Sequence, residues 1–125
     1  MTNARIMIVE DEPIVAMELQ DTLELEGYEV CGIIDSADAL LAAAQREKPQ
    51  LLLMDIRLRS YIDGIDAVQR LRFFNKVPVI YMTAWNTPDV RRRADATKPE
   101  AFLTKPIDTA ELLTAVERAL APDTP

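Results

Sequence analysis

Five short apolar runs, separated by stretches of helical spacing, constrain this chain more than any other feature. The runs are Ile6-Met7-Ile8-Val9, Val30-Cys31-Gly32-Ile33-Ile34, Leu51-Leu52-Leu53-Met54, Val79-Ile80-Tyr81-Met82 and Ala101-Phe102-Leu103. The first four are nearly continuous rather than alternating. That pattern suits strands buried on both faces, as in a parallel sheet covered by helices. Around them, apolar residues recur at helical intervals: Val15, Leu19 and Leu23; Leu40, Leu41 and Ala44; Ile65, Val68 and Leu71; Leu112, Val116 and Leu120. A further helix over 89–96 is expected to be polar and weakly amphipathic.

Boundary residues agree with this division. Gly27 can terminate the first helix, and Lys48-Pro49 should end the second, which Ser36 is expected to cap. Asp63-Gly64 marks the turn into the third helix with Asp63 as its cap, and Asp108 can cap the last. The order is a strand–helix unit repeated five times. Strand–helix–strand connections between parallel strands are right-handed, so an α/β doubly wound sandwich follows. The flavodoxin-like strand order 2-1-3-4-5 is the natural choice at this size.

The chain has 125 residues, which suits one core. One domain is expected over 1–121, with 122–125 a tail or the start of a linker. No apolar run approaches the roughly 20 residues of a membrane-spanning helix. Met1 to Ile6 lacks the apolar core of a signal peptide, so a cytoplasmic protein is expected. With 14 basic and 21 acidic residues the formal charge is −7, which argues against direct nucleic-acid binding. Arg91-Arg92-Arg93 is a local exception, expected to be a solvated helix face. There is no histidine, which excludes a histidine base or metal ligand, and Cys31 is the only cysteine, so no internal disulfide can form. Any chemistry must run on carboxylates, hydroxyls and lysine.

Ligands of open α/β sheets bind beyond the carboxyl ends of the strands. Glu10, Asp11 and Glu12 follow the first run, Asp55 the third, Thr83 and Ala84 the fourth, and Lys105-Pro106 lies just past the fifth. Clustered carboxylates favour a hard cation with oxygen ligands, namely Mg²⁺ (or Mn²⁺). An aspartate beside such a cation can attack phosphorus. Lysine offers a point charge for phosphoryl oxygens, and a hydroxyl offers a hydrogen bond. Phosphoryl transfer needs little more, because it depends on positioning and charge neutralisation.

These segments, Ile8-Val9-Glu10-Asp11-Glu12, Met54-Asp55-Ile56-Arg57-Leu58, Asp63-Gly64-Ile65, Met82-Thr83-Ala84 and Phe102-Leu103-Thr104-Lys105-Pro106, resemble the receiver domain of two-component response regulators. The resemblance implies Asp55 as phosphoacceptor, served by a sensor histidine kinase or a phosphotransfer protein. It implies Asp11 and Asp55 as direct Mg²⁺ ligands, Glu10 acting mainly through water, and the backbone carbonyl of Arg57 as a further ligand. Thr83 would hydrogen-bond the phosphoryl group, Lys105 would pair with it, and Lys105-Pro106 would be a cis peptide. Phe102 matches the aromatic switch position. The expected output is altered binding of a downstream effector domain or protein through the surface of the fourth helix, fifth strand and fifth helix. The resemblance also admits a phosphorylation-dependent homodimer. Glu12 reads as a helix-start charge favouring the helix dipole. Trp85 either covers the acyl phosphate or packs at the surface.

The chain departs from the family in two loops. Arg59 stands where many receivers have proline, and Gly64 comes one residue late, so residues 59–62 form a longer, more basic and aromatic loop. Residues 96–100 replace a commoner glycine-containing turn. Some receivers attached to sensory kinases and diguanylate cyclases have similar loops, so a stand-alone regulator and a domain of a longer chain both stay open. An aspartyl-phosphate hydrolase is a second reading. It wants an acid/base aspartate two residues after the nucleophile, where this chain has Arg57. A non-phosphorylated interaction module or flavin binder is a third.

Overall fold

The structure is a computed structural model describing residues 3–58 and 60–121; Arg59 and the tail at 122–125 lie outside the described residues. Five strands and five helices alternate: β1 (Arg5–Val9), α1 (Pro13–Leu25), β2 (Glu29–Ile34), α2 (Leu40–Glu47), β3 (Leu51–Asp55), α3 (Gly64–Leu71), β4 (Val79–Thr83), α4 (Pro88–Asp95), β5 (Ala101–Thr104) and α5 (Thr109–Leu120). All strand pairs are parallel, in the order β2-β1-β3-β4-β5. The expected doubly wound sandwich is therefore present.

Side chains along each strand alternate between two cores. Met7, Val9, Leu52, Met54, Val79 and Tyr81 face the core covered by α2, α3 and α4. Ile6, Ile8, Leu51, Leu53, Ile80 and Met82 face the core covered by α1 and α5. This two-sided burial is why β1, β3 and β4 read as continuous apolar runs. β2 departs from that expectation. It is an edge strand, its residues are only partly buried, and Ile33 is exposed. Among the described residues, one of its flanks has no strand to cover it.

Most expected helix boundaries hold. Gly27 follows the C-cap of α1 with φ 93°, a left-handed conformation that glycine adopts without steric cost. Lys48 closes α2, and Asp63 and Asp108 cap α3 and α5. Ser36 does not cap α2. A turn at 37–39 delays the helix to Leu40, and its N-cap is Ala39 without a side-chain bond. The Ala37 N–H is satisfied instead by Ser60 Oγ at 2.9 Å, from the loop after β3. Among the described residues, no helix is long and apolar enough to cross a membrane.

Candidate functional site

The strand order creates the site. Successive connections from β1 run to opposite sides of it, so a crevice opens beyond the carboxyl ends of β1 and β3. Val9 pairs with Met54, which sets Glu10 beside Asp55 at the next step of the register. Asp55 pairs with Met82, the residue before Thr83, and Thr83 pairs with Thr104, the residue before Lys105. Residues separated in sequence by up to 95 positions are thus brought to one end of the sheet.

Three carboxylates converge there. Glu10, Asp11 and Asp55 each offer an oxygen within 4.8 Å of the others. Glu10 is 1% exposed and Asp55 4%, while Asp11 is half-buried. Lys105 answers part of this charge. Its Nζ donates to Glu10 Oε1 at 2.7 Å and to Asp55 Oδ2 at 2.9 Å. The Glu12 N–H donates to Glu10 Oε2 at 3.1 Å, and the Arg57 N–H to Asp55 Oδ1 at 3.2 Å. Burial pushes the Glu10 carboxyl above its ordinary pKa; the Asp55 charge adds to this, and the Lys105 hydrogen bond opposes it. Burial also works against the Lys105 charge, but the hydrogen bonds to Glu10 and Asp55 outweigh it and hold the ammonium above its ordinary pKa.

A cleft of about 570 Å³ opens over this cluster, lined by Asp11, Glu12, Asp55, Arg57, Thr83, Ala84, Trp85 and Lys105. Thr83 is buried, and its Oγ1 accepts the Trp85 N–H at 3.0 Å. The Lys105–Pro106 peptide is cis. Phe102 lies apart from the cleft, half-buried on β5, with its ring 6.3 Å from that of Tyr81.

Several contacts here escaped the sequence reading. The Arg57 guanidinium lies 5.3 Å from the Trp85 ring centroid, beside the cleft. A signal for this pair existed: each residue lies two positions past the end of adjacent parallel strands, β3 and β4. Arg91 and Arg92 are solvent-exposed, as expected, while Arg93 is half-buried. Arg91 lies over the Phe102 ring at 4.5 Å, and Arg93 pairs with Asp63 and Asp66, whereas Arg92 pairs with its helix neighbour Asp89. Helical geometry sends adjacent arginines to different sides of α4.

The donor set fits a divalent cation. Glu10, Asp11 and Asp55 gather hard carboxylate oxygens in a partly desolvated crevice, the ligand type that such an ion prefers.

Comparisons with known proteins agree with this geometry. A sequence profile of the response regulator receiver domain matches residues 6–117. The chain is 32% identical over 117 residues to the transcriptional regulatory protein PdtaR of Mycobacterium tuberculosis, covering 94% of this chain and 57% of PdtaR. It is 34% identical over 116 residues to the phyllosphere-induced regulator PhyR of Methylorubrum extorquens, covering 92% of this chain and 43% of PhyR. The chain spans about half the length of the curated relatives it matches. Among solved structures, the receiver domain of a modulated diguanylate cyclase from Desulfovibrio desulfuricans superposes with TM-score 0.88 at 29% identity, covering 95% of this chain and 94% of that one. The receiver domain of Erythrobacter litoralis PhyR superposes with TM-score 0.82 at 31% identity, covering 98% and 97%.

Proposed function

Because this chain belongs to the response regulator receiver domain family, we propose that it is a phosphorylation switch whose acceptor is Asp55. The single observation that carries this reading is the Asp55 carboxylate itself: buried, at the carboxyl end of β3, with Lys105 Nζ at 2.9 Å and two further carboxylates beside it.

Asp55 is the nucleophile. A carboxylate oxygen bonds to phosphorus as the bond from phosphorus to the donor imidazole nitrogen breaks, and the electron pair leaves with the imidazole. The donor is a phosphohistidine of a sensor kinase or phosphotransfer protein. Glu10, Asp11, Asp55 and the Arg57 backbone carbonyl would hold Mg²⁺ or Mn²⁺, which when bound supplies charge neutralisation for the phosphoryl oxygens. Lys105 exchanges part of its present pairing for a phosphoryl oxygen, and Thr83 donates its hydroxyl to another. This role is supported by Thr83 following Met82, the register partner of Asp55, and lining the same cleft. Phe102 is the ring that responds on β5, and a changed surface of α4, β5 and α5 alters affinity for a downstream effector. A cytoplasmic location belongs to the same reading.

The protein assists its own phosphorylation and dephosphorylation without turning over a separate substrate. A hydrolase of the aspartyl-phosphate type would need a carboxyl group where Arg57 stands, and the Arg57 side chain is turned over Trp85.

Incubation with Mg²⁺ and a small acyl phosphate donor tests the proposal. Intact-mass analysis should show one phosphoryl group per chain, alkali-labile, mapped to Asp55 and absent in Asp55→Asn. A stoichiometric adduct that persists in Asp55→Asn, or no adduct and no beryllofluoride complex in the unaltered protein, would overturn it.

A further inference from the structure

A short line of contacts joins Asp55 to α4 without passing through Thr83 or Phe102. Gly64 opens α3 directly behind the acceptor. Its N–H donates to the Ile56 carbonyl at 2.7 Å, and a Cβ at this position would come well inside 3.0 Å of the Asp55 carbonyl oxygen. The start of α3 is therefore seated on the acceptor's own backbone. Asp63 caps this helix, accepting the Asp66 N–H at 2.9 Å, while Asp66 accepts the Asp63 N–H at 3.4 Å. Arg93 of α4 grips both acids: Nη1 to Asp63 Oδ2 at 2.9 Å, Nη2 to Asp63 Oδ1 at 3.2 Å and to Asp66 Oδ1 at 3.1 Å.

This fork is bidentate on Asp63, so it transmits orientation as well as attraction. Two residues earlier, Arg91 reaches the Phe102 ring on β5. Two positions on a helix are about 200° apart, so the two arginines straddle α4 and tie it to different neighbours. α4 has little else to hold it. It buries only Val90 and Ala94, and its remaining residues are mostly charged. An element with so few buried apolar contacts is placed by its polar links and moves when they move.

We propose that Arg93 is the positioning residue through which α4 reads the state of Asp55, by way of Asp63 at the start of α3. The proposal rests on Asp55 being the phosphoacceptor. A phosphoryl group on Asp55 displaces the start of α3, which is seated on the Asp55 and Ile56 backbone, and Arg93 carries that displacement into α4. Arg91 then passes it to the Phe102 ring.

The test uses beryllofluoride with Mg²⁺ as the phosphoryl mimic. Trp85, the only tryptophan, reports binding at the cleft by fluorescence, and hydrogen exchange across residues 88–95 reports the response of α4. The unaltered protein should bind and should change its exchange in α4. Arg93→Gln should bind with affinity within about twofold, yet its bound-minus-free difference in α4 should shrink about fivefold or more. Arg93→Lys should recover part of that difference, and Asp66→Asn should lose part of it while leaving the Asp63 cap in place. A merely structural Arg93 would raise exchange equally in both states and leave the difference intact. That result, or an α4 that does not respond in the unaltered protein, overturns the proposal. If the unaltered protein fails to bind, the phosphoacceptor reading fails first, and the fluorescence arm shows it separately.

Discussion

Gly64→Ala adds one methyl group at the most crowded backbone position near the site. The new Cβ would meet the Asp55 carbonyl oxygen well inside 3.0 Å, with Ile56 Cα and Met54 Cγ both at 3.0 Å. The first two obstacles are backbone atoms at the end of a central strand, so they cannot swing aside as a side-chain tip would. Overpacking of this kind sits at the upper end of the usual range, about 3 kcal/mol. Alanine recovers at most about 1 kcal/mol over glycine in a helix. The net expectation is a loss of about 2 kcal/mol, or about 8 °C in melting temperature for a domain of this length. Thermal and urea denaturation followed by circular dichroism measure this directly, and the urea slope should stay constant. Phosphorylation by a small donor, assayed well below the midpoint, should also slow, because α3 is pushed from Asp55. An unchanged or raised midpoint would refute the packing argument. A lowered midpoint with unchanged phosphorylation would refute the claim that α3 is seated on Asp55.

Mg²⁺ should stabilise the protein by about 1.4 kcal/mol at about tenfold excess over its Kd, and the rise in melting temperature should disappear in Asp11→Asn. Lys105→Met leaves Glu10 and Asp55 buried together without their ammonium partner; metal-free stability should fall by about 3 kcal/mol in urea unfolding, with Mg²⁺ restoring part of it. Tyr81 is buried with its phenol pKa pushed up to about 12, first by burial, against its hydrogen bond to Thr97. The folded value exceeds the unfolded one, so this contribution is fully present below about pH 10 and is lost as pH rises toward 12. Tyrosinate absorbance should show one phenol ionising only in that upper range or together with unfolding. Thr97→Val removes the partner of the Tyr81 hydroxyl and should cost about 1–3 kcal/mol, whereas Tyr81→Phe in the same background should recover part of the loss.

Much of the site was legible because its residues lie immediately past apolar runs. Once five runs become parallel strands, the groups that follow β1, β3, β4 and β5 must share one end of the sheet. Strand ends are therefore readable even where strand order is not. Ser36 misled because serine is a good helix cap, yet the chain makes a turn at 37–39 first, and the Ala37 N–H donates to Ser60 Oγ, 23 residues away. The exposure of Arg91 and Arg92 was legible in the sequence, but the pairing of Arg93 was not, because charge alone does not say which neighbour each side of a helix meets. Arg93 finds Asp63 and Asp66, 30 and 27 residues away, across a helix interface that no local pattern encodes.

By itself the sequence determined the alternation of strands and helices, the two-sided burial of the central strands and the identity of the acidic, hydroxyl and lysine groups. These follow from hydrophobic period and from position relative to strand ends, which are local properties of the chain. Only the tertiary structure decided that Lys105 spans Glu10 and Asp55, that Gly64 lies close against the Asp55 carbonyl, and that Arg93 and Arg91 tie α4 to Asp63 and Phe102. Such contacts depend on distances of a few ångströms between elements. Packing and register set those distances, and a linear order of residues does not contain them.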